Sequence, residues 1–429
     1  MINKTEKIPE KINVQSEIGK LEAVLLHSPG YEVENMTPRN AQRALYSDIL
    51  NLSIAQREYE QLSGVLNKVS KCYQVKDLLI KLLENHQERE ALVGKICVTE
   101  NVTDYFEYLM DMSSKSLAQV LIEGLPARIN TLTAYLKDDY YALLPLYNFY
   151  FTRDASVSIG NRMLICRMAS KVRLRESLIT EAIFKNSNFF ETELINAHDF
   201  QPGNASIFIE GGDVLVARED ILVIGNGSRT SSQGIDMLVS RLCKSSGGEK
   251  KHIIVQQLPE TPESFIHLDM VFTLLDVDKA MVFEPLILGE NQYQTVHMII
   301  EGGKVTKIKS VNNIISVLKR LGMDLEPVLC GGGADEWNQE REQWHSGSNF
   351  FAFAPGKVMS YARNVHTLNE LSDSGFEIIT AKEVITSKKN LDSYKRCVVT
   401  IDGSELPRGG GGPRCMTMPL RRAAVEWPE

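Results

Sequence analysis

The chain has no C-x-x-C pair, no long apolar run and no excess of basic residues, and each absence removes a class of function. Its seven cysteines (Cys72, Cys97, Cys166, Cys243, Cys330, Cys397 and Cys415) are odd in number and scattered. That pattern argues against a disulfide framework or structural zinc and suits a reducing, cytoplasmic setting. No stretch reaches the roughly 20 apolar residues of a membrane span. Basic residues number 47 against 55 acidic, a net charge of −8 without a long basic stripe, so no nucleic-acid partner is expected. Met1 to Gln15 is polar and lysine-rich with no apolar h-region, so no secretory signal is expected there. Hydrophobic content of 43% and charged content of 24% are those of an ordinary soluble globular protein, and 429 residues can bury a large core.

The most informative segment is Arg408-Gly409-Gly410-Gly411-Gly412-Pro413-Arg414-Cys415. Successive glycines let main chain approach a ligand closely. They deliver Cys415, beside the cation of Arg414, to the start of the apolar run MTMPL. A thiol next to a cation is the setting of a nucleophilic cysteine, because the thiolate is the attacking species.

Upstream, Leu21 to His27 (LEAVLLH) reads as a strand, followed by a helix from about Pro38 to Val69. Residues 78–147 read as helical with no alternating strand, an inserted subdomain between a first α/β part (1–77) and the rest of an α/β body (148–429). In that body a hairpin–helix–strand unit recurs. Asp154, Glu210 and His267 each lead a pair of apolar segments joined by a polar turn; Gly347 leads another, with Pro355-Gly356 as its turn, and Cys415 leads the last run. Helical stretches follow at 175–184, 229–242, 311–321 and 365–371. A long-period repeat implies propeller-like or stacked symmetry, and units set around one axis would gather Asp154, Glu210, His267 and Cys415 at one site.

Chemically the set is a thiol nucleophile (Cys415), an acid/base (His267) and three carboxylates (Asp154, Glu210, Asp269). More carboxylates than a triad needs imply a cationic substrate, and a planar guanidinium matches carboxylates in bidentate pairs.

With these residues in view, the chain resembles the bacterial arginine deiminases of the guanidino-group-modifying superfamily. The matching segments run in order through SEIGKLEAVLLHSPG, NFYFTRD, IEGGDVLV, HLDMVF, REQW with GSN, APGKV and GGPRCMTMP. The resemblance implies a pseudo-fivefold symmetric α/β propeller with an inserted helical subdomain. It implies hydrolysis of L-arginine to L-citrulline and ammonia through a thiouronium on Cys415, with no cofactor or metal, and it is compatible with a homo-oligomer. On the family pattern Asp154 and Asp269 bind the guanidinium, Glu210 orients His267, and Arg173, Arg229, Asn148 and Gly409 contact the rest of the substrate. The chain departs at Gly410, where many relatives carry an arginine.

Other readings fit these residues less well. A Cys–His–carboxylate protease or amidase leaves Asp154 and Asp269 without a role. An agmatine deiminase or amidinotransferase, whose substrate lacks the carboxylate that Arg173 and Arg229 suit, is the nearer rival. The intact Cys–His pair weighs against a non-catalytic arginine sensor, and a metal site of His267, Asp269 and Cys415 lacks helical ligand spacing. The remaining histidines (His27, His86, His198, His252, His297, His345, His366) are expected to be structural or on the surface, and Trp337 and Trp344 to pack rather than bind.

Overall fold

The computed structural model describes residues 9–36, 48–129, 132–136, 140–199, 207–245, 247–333 and 335–428. Five separate sheets share one plan: an antiparallel pair, a helix, and a third strand lying parallel to the second. One unit pairs Ser156–Ile159 with Arg162–Ile165, crosses through the helix Leu174–Lys185 and returns as Glu193–Asn196. The next pairs Val214–Arg218 with Ile221–Asn226 and returns through Ser232–Ser245 to Lys251–Gln257. A third pairs Phe272–Asp276 with Lys279–Val282 and returns through Ile314–Arg320 to Glu326–Leu329. A fourth pairs Phe351–Ala354 with Lys357–Tyr361 and returns through Val365–Asp373 to Cys397–Ile401. The fifth is built from distant parts of the chain: Met418–Arg422 runs antiparallel to Leu21–Leu26, and Leu52–Val69 carries the chain on to Lys71–Gln74.

Several sheet strands bury apolar side chains on both faces: Leu215, Val223 and Ile254 lie in one buried cluster, and their neighbours Val214, Val216, Leu222, Ile224 and Ile253 in another. That is the pattern of strands covered on two sides.

Three elements differ from expectation. The helix expected from Pro38 starts instead at Leu52, because the Asn51 side chain accepts the Ile54 N–H and caps it; residues 37–47 lie outside the described residues. The helix expected from residue 311 starts at Ile314 behind an Asn313–Ser316 capping box, since Thr295–Glu301 and Lys304–Val311 form a hairpin that joins the sheet of Lys251–Gln257. The helical stretch holds Val75–Leu83, His86–Thr99 and Ser114–Glu123, but also a short ladder of Leu125–Pro126 with Tyr141–Leu143. Its Leu79, Val93, Ile96 and Leu121 share one apolar cluster with Leu25, Ile179 and Ile183 of the α/β units. The block therefore has no core of its own.

Candidate active site

Each unit begins with a short turn or 3-10 segment before its first strand, and those turns carry the polar side chains. Asp154 lies in the turn Thr152–Ala155, Glu210 precedes Gly211–Asp213, and His267 precedes Leu268–Met270. Cys415 lies three residues before Met418–Arg422. All four side chains are buried, and so is Asp269.

His267 Nε2 lies 2.9 Å from Glu210 Oε2, and its Nδ1 lies 3.7 Å from Asp154 Oδ1. Glu210 is fixed from its other side by the Ala169 N–H at 3.0 Å. Burial opposes a charge on the imidazole, but Asp154 and the hydrogen bond to Glu210 outweigh it and raise the pKa to about 9. His267 therefore stands protonated at neutral pH, and Glu210 is pulled below the usual carboxylate range by that bond despite its burial. The ring fits because residue 212 is glycine: a Cβ there would stand 2.5 Å from His267 Nδ1.

The two aspartates share one arrangement. Asp154 Oδ2 accepts from Arg173 Nη1 at 2.7 Å, and Asp269 Oδ2 accepts from Arg414 Nη1 at 2.8 Å. The other oxygen of each, Asp154 Oδ1 and Asp269 Oδ1, is buried without a hydrogen-bond partner. A buried carboxylate oxygen left unpaired is costly, and two of them form a receptor for N–H donors.

Cys415 Sγ lies 3.6 Å from Asp269 Oδ2. Burial and then the charges of Asp269 and Asp154 push the thiol pKa well up, with the Gly412 backbone and Arg414 opposing. The expected activation by the neighbouring arginine is thus outweighed at rest. The Arg414 guanidinium turns away to bind Glu17 through Nε and Nη2, both at 3.0 Å, and Asp269 through Nη1. A cation brought by the substrate is what this thiol lacks.

Arg173 is not on a cleft wall. It is buried among Asp154, Glu176 and the Asn148 carbonyl, with Glu210 Oε2 3.9 Å away. Asn148 is buried beside it. Arg229 lines a cleft of about 520 Å³ together with Ser170, Met270, Pro407, Gly409 and Gly410, and makes no hydrogen bond or ion pair among the described residues. Asp154, Glu210 and His267 hold one ligand-type atom each within 4.8 Å of one another. Arg173 already supplies a cation to two of the three, and this trio is not the His267, Asp269 and Cys415 set weighed above.

A family model described as arginine deiminase matches residues 42–422. The chain belongs to the arginine deiminase family. It is 34% identical over 435 residues to the arginine deiminase of Bacillus cereus, covering 96% of this chain and 99% of that one. It is 32% identical to that of Oenococcus oeni, covering 98% and 99%. Among solved structures, the N-terminal domain of the arginine dihydrolase ArgZ from cyanobacteria, bound to substrate, superposes over 93% of this chain and 98% of that one with a TM-score of 0.51 at 12% identity. That likeness is one of mixed α/β fold.

Two features set this deiminase-family site apart from expectation. Gly410 sits on the cleft rim at φ 85°, a left-handed conformation that disfavours the arginine the family resemblance suggested there. Trp337 is 85% exposed and Trp344 43%, so neither packs in the core; both line a groove beside the cleft with Phe265 and Tyr293. Sequence reasoning also missed three buried partners: Asn349 against Cys415, Asp213 holding the Leu268 N–H at 2.8 Å, and Glu17 holding Arg414. GSN and EGGD were in plain view, but only the fold reveals which of their side chains turn inward.

No helix among the described residues is long and apolar enough to cross a membrane.

Proposed function

We propose that the chain hydrolyses L-arginine to L-citrulline and ammonia, with Cys415 as nucleophile and Asp154 and Asp269 as the guanidinium clamp. The observation that carries this reading is the pair of buried oxygens without a hydrogen bond, Asp154 Oδ1 and Asp269 Oδ1, on the two carboxylates whose charges act on the Cys415 thiol. A guanidinium offers five donors in a fixed fork, so it satisfies both oxygens and brings the missing cation to the sulfur.

As the cation arrives, the thiol gives its proton to solvent water. Cys415 Sγ then adds to the guanidinium carbon, forming the C–S bond as the C=N π pair moves to nitrogen. Protonated His267 gives its proton to a terminal nitrogen, which leaves as ammonia with the C–N electron pair, and a thiouronium cation remains on Cys415. Neutral His267 next takes a proton from water, and the hydroxide adds to the same carbon. Collapse expels the thiolate, and one proton passes from oxygen to that thiolate, which leaves the ureido carbonyl of citrulline and restores the Cys415 thiol. One histidine serves as acid and then base, and Glu210 keeps it charged for the first step. Side chains and water complete this cycle without a metal or cofactor.

Arg229, on the cleft rim, is suited to the substrate carboxylate. Arg173 joins it by exchanging Asp154 for that carboxylate, an exchange the incoming guanidinium favours by taking its place on Asp154. Asn148 and Gly409 complete the outer contacts. The same arrangement without a carboxylate contact would serve agmatine or amidino transfer, which makes Arg229 the residue that separates the readings.

The five like-built units support a pseudo-fivefold α/β propeller with residues 78–147 as its helical insertion, because their leading turns supply one site. Seven free cysteines support a reducing, cytoplasmic setting. The direct test is citrulline and ammonia release from L-arginine, with an adduct on the Cys415 peptide in quenched turnover; absence of product would end the proposal.

A further inference from the structure

Four of the five units deliver a group with an obvious role. The unit led by Ser348-Asn349 contributes none by the sequence argument, yet Asn349 is completely buried and points at the sulfur. Its Oδ1 accepts the backbone N–H of Arg414 at 3.0 Å and of Cys415 at 3.2 Å. Two N–H donors on one atom fix the amide orientation, since only oxygen can accept them. Nδ2 is therefore the group that faces Cys415 Sγ, at 3.1 Å, while it also meets the Asp269 carbonyl at 3.2 Å and Met270 Sδ at 3.6 Å. Residue 412 must be glycine for this packing, because a Cβ there would stand 2.8 Å from the Asn349 side chain.

The surroundings say why a donor is needed. Asp269 and Asp154 face the sulfur with negative charge, the Tyr361 hydroxyl is neutral and donates to the Gly411 carbonyl, and His267 is held by Glu210 and Asp154. The Arg414 cation lies against Glu17 and Asp269. Asn349 is the side chain, among the described residues, that donates a hydrogen bond to Sγ. An amide does so without a charge, whereas a lysine or arginine there would pair with the clamp and repel a cationic substrate.

We propose that Asn349 is a further catalytic residue, whose Nδ2–H stabilises the Cys415 thiolate before attack and again when it is expelled. This rests on Cys415 being the nucleophile. The test is the rate at which iodoacetamide alkylates the Cys415 peptide, followed by mass spectrometry from pH 6 to 10 in wild type, Asn349→Leu and Asn349→Asp. Asn349→Asp keeps an acceptor for both backbone N–H groups, so it preserves the loop if Asn349→Leu does not fold. The donor role predicts alkylation at least about fivefold slower at each pH below the thiol midpoint, with kcat falling and KM nearly unchanged. Rates for Asn349→Asp within about twofold of wild type would overturn it. The titration is read without arginine, so a wild type inert toward L-arginine would remove the proposed reaction and leave this comparison standing.

Discussion

Asp154 and Asp269 each give one oxygen to a buried arginine and leave the other without a hydrogen bond, yet the ground behind them differs. Behind Asp154 stand Glu176, Glu210 and Asp213, facing Arg173, His267 and, from the cleft rim, Arg229. Burial, reinforced by Asp154 and Glu210, raises Glu176 to about 7 against the pull of Arg173, and burial raises Asp213 to about 6. Behind Asp269 stand Arg414, Arg153 and Arg422, facing only Glu17. Burial, with Arg414 adding to it, lowers Arg153 to about 9 and Arg422 to about 10. One bank is short of cations and the other of anions. A guanidinium between them is drawn toward Asp154, whose surplus also keeps His267 protonated, while the fixed bank holds Asp269 and eases the growth of negative charge on sulfur.

The largest expected effect removes what both banks serve. Cys415→Ser should leave folding intact and lower kcat by at least about a thousandfold; a variant with wild-type turnover would mean the banks surround the wrong atom.

Next come the clamp residues, which should match in activity and part in stability. Asp154→Asn and Asp269→Asn should each cost about 3 kcal/mol in kcat/KM, roughly a hundredfold. Thermal unfolding should distinguish them. Asp269→Asn leaves a surplus of buried cations and should lower Tm clearly, whereas Asp154→Asn relieves a surplus of anions and should lower it little or not at all. Equal Tm losses would erase the contrast.

At the cleft rim, L-arginine should be preferred to agmatine by about a hundredfold in kcat/KM, because agmatine leaves Arg229 without its counter-charge. Arg229→Ala should narrow the ratio by harming arginine more. Similar rates on both substrates in wild type would move the assignment to a decarboxylated guanidine.

The smallest effect is on pH dependence. The folded pKa of His267, about 9, lies above its unfolded value of about 6.5. Its contribution to stability is therefore complete below about 6.5 and lost as pH rises through 9. The same group is the acid of the first step, so kcat/KM should fall above about 9. Glu210→Gln should move that limb about one unit toward acid; an unmoved limb would free His267 from the Asp154 bank.

The recurrence of Asp154, Glu210, His267 and Cys415 ahead of paired strands was legible because it depends on local pattern: alternation, a polar turn and a chemically distinct leader. Arg173 shows where that reading ends. Its spacing from Asp154 suggested an outward contact, but side-chain direction is set by tertiary packing, and Glu176 one turn along draws it inward. Arg414 shows the same for charge. Adjacency to Cys415 in sequence promised activation, while Glu17, almost four hundred residues earlier, takes the guanidinium. Asn349 stayed hidden because an amide carries no charge and marks no motif until its neighbours are known.

The ladder between Leu21–Leu26 and Met418–Arg422 sets an order of events. Chain growth from the N-terminus yields the first of these strands early and the second after the other four units have been made. Asp154, Glu210 and His267 precede that closure in the chain, whereas Asp269 gains its Arg414 partner only with the segment that brings Cys415. Clamp and thiol are thus completed together, when the two distant ends of the fifth sheet pair.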